Sequence, residues 1–132
     1  MQGFDMKELT RETTRQLMNY RASMARLKRR DILDTERERL KRWTDAIRAA
    51  YAAYRRTDPA HAAAMERLFG LRHPVPRNRL VRARVIRLTY DLNISEATLY
   101  RWRREIIMLV SMYWLNREAI ENRSIVGLDD EP

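Results

Sequence analysis

The sequence predicts an all-α protein, an N-terminal helical hairpin followed by a small helical domain with a C-terminal helix-turn-helix. Three observations predict it. Only three Gly and four Pro punctuate 132 residues, apolar positions between them recur at alternating steps of three and four, and strict apolar–polar alternation is missing. With 45% apolar and 34% charged residues, the chain has enough apolar matter for a core and too much to be wholly disordered. Its length suits one small domain, or a helical arm with a minimal domain, rather than a large multi-domain enzyme.

Leu17, Tyr20, Met24 and Leu27, preceded by Leu9 and Thr13, make one apolar face, which predicts a single helix from about Met6 to Arg30. Thr35 followed by Glu38 has the spacing of a capping box, so a second helix is expected to start there. Leu40, Trp43, Ile47, Tyr51 and Tyr54 form its stripe, which ends by Thr57. The two helices, joined around Asp31–Asp34, fit an antiparallel hairpin or part of a dimer seam. The stripes are short for a coiled coil, which favours packing within one chain.

Asp58-Pro59 is a cap with proline at the first helical position, and Gly70 suits a left-handed stop. A short helix is therefore expected over Pro59–Phe69, with Met65, Leu68 and Phe69 buried. Pro74 and Pro76 then forbid helix and mark an extended link. These breaks divide the chain into a two-helix region at 1–57, a small helical domain at 58–116 that holds the helix-turn-helix, and an acidic, flexible tail at 117–132.

Leu80, Val81, Val85, Leu88 and Leu92 follow helical spacing up to a break near Asn93, and Ser95 is placed to cap a helix that begins Glu96-Ala97-Thr98. Two helices separated by so tight a turn are a helix-turn-helix pattern. Asn93 tolerates the left-handed turn, Ile94 plugs the corner and small Thr89 permits close approach. Leu99, Trp102, Ile106 and Leu109/Val110 are expected inward. At 100° per residue the opposite side holds Ala97, Tyr100, Arg101 and Arg104, with Thr98 and Arg103 on its flanks. Arg matches guanine bidentately and Thr or Ala contacts a thymine methyl, so this face suits the major groove of double-stranded DNA. The bland alternative is a solvated face whose arginines bridge to Glu96 and Glu105.

Charge placement favours the first reading. The net charge is +9, and basic residues are 24 Arg against 3 Lys. Guanidinium suits phosphate and guanine edges, although a GC-rich genome inflates Arg equally well. From Arg72 to Arg104 nine Arg face two acids, a net +7, while the last sixteen residues carry −3. Arg77, Arg79, Arg82, Arg84 and Arg103 are therefore expected on phosphates, fixing orientation.

Cysteine is absent, which removes disulfides, cysteine nucleophiles and cysteine-ligated metals. His61 and His73 lack carboxylate partners at metal-site spacing, and no glycine loop cradles phosphate. No enzyme, catalytic residue, metal or cofactor is expected. The start of the chain lacks a signal pattern and no apolar run approaches a membrane span, so a cytoplasmic, membrane-free protein is expected. The segment Ile106–Leu115 is apolar on nearly every side. Packing onto the N-terminal hairpin accounts for it; the sharper reading makes Met108, Met112 and Leu115 a contact for a second copy or for RNA polymerase.

The segment Leu88-Thr-Tyr-Asp-Leu-Asn-Ile-Ser-Glu-Ala-Thr-Leu-Tyr-Arg-Trp-Arg-Arg-Glu-Ile-Ile-Met-Leu-Val resembles the C-terminal helix-turn-helix of phage late-gene transcriptional regulators of the ArpU and RinA type. More distantly it is similar to the DNA-binding fourth region of sigma factors. With the helix before the motif, the resemblance covers Tyr54 to Leu115. It implies a sequence-specific DNA-binding regulator of phage or prophage late genes, with Ser95 capping the recognition helix and Thr98, Tyr100, Arg101 and Arg104 facing DNA. Arg82, Arg84 and Arg87 make the first motif helix more basic than the family pattern. The rival class is a small terminase-like packaging component that binds DNA and assembles into a ring; there the DNA-binding element commonly precedes the oligomerising helices, whereas here the motif sits late.

Overall fold

The computed structural model describes residues 5–74 and 82–117. The described residues form helices and no strands: α1 (Met6–Met18), α2 (Tyr20–Leu27), α3 (Asp34–Thr57), α4 (Pro59–Phe69), α5 (Arg82–Leu92) and α6 (Glu96–Leu115). No helix is long and apolar enough to cross a membrane. Arg77 and Arg79, the Pro76 part of the link, and the tail beyond Arg117 lie outside the described residues.

The expected first helix is two. Its Leu9, Thr13, Leu17 and Tyr20 face is buried as expected, but the helix is interrupted at Asn19 and stops at Leu27. Asn19 adopts φ −100°, ψ 8°, a departure from helical geometry that a short polar side chain of modest helix propensity permits. The Ser23 N–H still donates to the Asn19 carbonyl at 2.8 Å, so the stripe passes through the break.

The Thr35/Glu38 capping box is not formed. α3 begins at Asp34 with Leu33 as its unassisted cap. The Arg37 guanidinium donates to the Leu27 and Arg29 carbonyls at 2.9 and 2.8 Å, which closes the end of α2 and draws the loop onto the first turn of α3. Asp34 and Glu36 in that turn oppose the positive helix end. Arg26 and Glu36 then clamp α2 to α3 with a two-pronged pair at 2.7 and 3.0 Å.

α3 is the central helix. Trp43, Ile47 and Tyr51 give it bulk, and buried Ala46, Ala49 and Ala50 let neighbouring backbones approach. α6 is its principal partner, and α4 and α2 pack on its other sides. α1 lies chiefly against α6 rather than pairing with α3, so the N-terminal helices are not a free-standing hairpin. One core runs from Leu9 to Val110. At its centre a buried hydroxyl pair joins α1 to α6: Thr13 Oγ1 and Ser111 Oγ are 2.8 Å apart. Ser111 spends its proton on the Ile107 carbonyl, so Thr13 donates to Ser111.

α4 has the expected bounds. Asp58 accepts from the His61 N–H, Pro59 opens the helix, and Gly70 stops it at φ 66°. The Leu71 N–H returns to the Glu66 carbonyl at 3.1 Å, closing a Schellman turn.

Leu99 is fully buried while Tyr100 is 39% exposed, so neighbouring residues of α6 should respond to truncation by very different amounts. Leu99→Ala is expected to lower unfolding free energy in urea by about 2–5 kcal/mol, and Tyr100→Ala by no more than about 0.5 kcal/mol.

Candidate nucleic-acid interface

The turn between α5 and α6 is built from its own residues. Asn93 sits at φ 56°, the left-handed region that Asn enters more readily than most residues. Its N–H donates to the Tyr90 carbonyl at 3.2 Å and that of Ile94 to Thr89 at 3.0 Å, so two carbonyls of the last turn of α5 are satisfied in a second Schellman turn. Ser95 caps α6: its Oγ accepts from the Thr98 N–H at 3.1 Å and donates to Thr98 Oγ1 at 2.9 Å. Leu88 is buried below the turn, with Leu92 and Ile94 packed against the core.

α6 then buries Leu99, Ile106, Ile107 and Val110. Its opposite face leaves Ala97, Tyr100, Arg101 and Arg104 exposed, the four residues expected there. Thr98 is half-buried with its hydroxyl engaged by Ser95. Arg104 makes no ion pair with a described residue, and Arg101 only a long one, Nε to Glu105 Oε2 at 3.9 Å, which exposure makes weak.

The arginines expected on phosphates have more varied surroundings. Arg84 donates to the Arg67 carbonyl (2.6 Å) and the Leu68 carbonyl (3.0 Å) at the end of α4; burial, then the neighbouring Arg67 charge, pull its pKa below the usual guanidinium value. Arg103 is half-buried with its guanidinium 5.8 Å from the centre of the Phe69 ring, and burial lowers its pKa as well. Arg82 pairs with Glu96 across the turn. Outside that set, Arg87 and Arg67 share Asp91, and Arg72 pairs with Glu66 at 3.0 Å. Much of the +7 read from the sequence thus joins α4, α5 and α6 to one another. The bridging of arginines to Glu96 and Glu105 occurs, but through Arg82 and the long Arg101 contact, and it leaves Arg104 unpaired among the described residues.

His61 gave no signal in the sequence beyond an absent metal pattern, yet it braces the base of this face. Its ring lies between Tyr54 and Trp102, with centroids 5.0 and 4.3 Å away. Nε2 is 2.8 Å from Glu105 Oε1, and Nδ1 is 2.7 Å from Asp58 Oδ2 in a close contact off hydrogen-bond alignment. Glu105, which also faces Arg101, is thereby anchored to the junction of α3 and α4. The Tyr54 phenol is pushed up to about 12, chiefly by burial and further by the Glu105 and Asp58 carboxylates. Only the 44-residue separation of His61 and Glu105 hid this cluster. Among the described residues no group of three or more potential metal ligands occurs.

No family model, curated protein or solved structure matches the chain.

The two kinds of arginine are separable by stability. Arg84→Met leaves two carbonyls of α4 without their donor and is expected to cost about 1–3 kcal/mol in urea unfolding. Arg104→Ala should leave the unfolding midpoint nearly unchanged.

Proposed function

We propose that the protein is a sequence-specific double-stranded DNA-binding transcriptional regulator that reads the major groove with α6, encoded by a phage or prophage and acting on late genes in the cytoplasm. The observation that carries the reading is the first half of α6, where Ala97, Tyr100, Arg101 and Arg104 share one exposed face behind a capped start and a left-handed turn. A guanidinium there has the reach and paired donors to grip guanine, and Ala97 is small enough for close approach to a thymine methyl. The exposed helix terminus at Ser95 and the basic residues beside it suit phosphate contacts. The phage assignment rests on the resemblance of Leu88–Val110 to the ArpU and RinA regulators.

Selection of bound sites from random duplexes should return a defined motif. On that motif Arg101→Ala and Arg104→Ala are each expected to lose about 1–3 kcal/mol of binding, with the loss concentrated at one or two base positions. Parent-like binding by both variants would remove α6 from the interface. Mass in solution should correspond to a monomer or dimer; a many-membered ring would favour the packaging class instead.

A further inference from the structure

The seam between α4 and α5 carries more positive charge than its carboxylates neutralise. α5 buries only Val85 and Leu88, so it is held to α4 largely through arginines. Arg84 donates to the Arg67 and Leu68 carbonyls, and both bonds leave from Nη2. Of the five guanidinium N–H groups, those on Nε and Nη1 therefore meet no partner among the described residues. Arg67 and Arg87 reach the same oxygen, Asp91 Oδ2, at 2.8 and 3.6 Å. Arg72 is matched by Glu66. Three guanidiniums, those of Arg67, Arg84 and Arg87, thus share the Asp91 carboxylate, which leaves a local excess of two positive charges.

These side chains surround a recess of about 320 Å³, lined by Arg67, Arg84, Arg87 and the Arg72–Glu66 pair, with Leu88 and His73 beside them. That volume lies at the small end of ligand pockets. Arg84 is half-buried in its wall, and burial together with the like charge of Arg67 makes its cationic form costly. An anion seated among the three guanidiniums relieves that crowding.

We propose that this recess binds the phosphate group of a small phosphomonoester. Such a group carries close to two negative charges at neutral pH and three strong acceptor oxygens. The charge matches the local excess, and the oxygens meet the remaining donors of Arg84 and the exposed fork of Arg87. A carboxylate, or a phosphodiester of a nucleic-acid backbone, carries a single charge and offsets only half of the excess. No residue of α6 lines the recess, so the site stands apart from the face assigned above to DNA and does not depend on that assignment.

Methyl phosphate and dimethyl phosphate, titrated into the isotope-labelled full chain at constant ionic strength, separate a free monoester from a backbone phosphate. Methyl phosphate should shift the Leu88 methyls and the Arg67 and Arg84 Nε–H signals saturably. Dimethyl phosphate should bind at least about fivefold more weakly, because half of the attraction is missing. Arg87→Gln, an exposed change that leaves Asp91 paired with Arg67, should weaken methyl phosphate by about tenfold or more. Arg21→Gln removes the same charge from the surface of α2 and should alter binding by less than about twofold. Shifts that fail to saturate, or equal losses in the two variants, overturn the site and leave only general attraction to a basic protein. Dimethyl phosphate binding as tightly as methyl phosphate, or displacement of methyl phosphate by random duplex, overturns the monoester in favour of a nucleic-acid backbone. Saturable methyl phosphate binding in a protein that binds no duplex supports the recess while removing the DNA reading alone.

Discussion

The one-sided burial of α6 is the constraint on which the rest of the molecule depends. Leu99, Ile106, Ile107 and Val110 are held against α3 and its neighbours, at roughly 1.5–3 kcal/mol for each large aliphatic side chain buried. A rotation of α6 by one residue would give up much of this and carry Arg101 or Arg104 toward the core, where an unpaired charge costs several kcal/mol more. Thr13 and Ser111 add a directional restraint to the apolar one, because their 2.8 Å contact is satisfied at a single rotation of α6 relative to α1. The core therefore determines which residues face outward.

Electrostatics reinforces that choice at the two ends of the candidate interface. At the start of α6, Asn93 and Ser95 satisfy the backbone of the turn locally and Arg82 ties Glu96 to α5. About one turn beyond Arg101, Glu105 is shared between His61 and Arg101. Between these fixed points Tyr100, Arg101 and Arg104 are left to solvent. The arginines thus divide by environment: Arg84 and Arg103 hold α4 against α5 and α6 at a desolvation cost, while Arg101 and Arg104 stay hydrated and available to a ligand.

What was legible in the sequence was local. Pro59, Gly70, Asn93 and Ser95 act through backbone geometry within a few residues, so the bounds of α4 and the turn before α6 follow from them directly. The apolar stripes of α3 and α6 were equally readable, because helical periodicity needs no partner to be recognised. The break at Asn19 was hidden, since the stripe runs through it undisturbed. Thr35 and Glu38 had the spacing of a capping box, but Arg37 reaches back eight to ten residues and moves the helix start to Asp34. Arg84 and Arg103 read as surface charge, yet their partners lie on α4, 16 to 34 residues earlier. The sequence carries no period or spacing that records such a contact.

The exposed first half of α6 is the proposed nucleic-acid interface. Titration of an isotope-labelled sample with duplex DNA, followed by backbone amide NMR, tests this most directly. The predicted result is that Ser95 through Glu105 shift most, in a salt-dependent manner, while α1 and α2 stay unmoved. Shifts confined to the N-terminal helices, or none on α6, would contradict it.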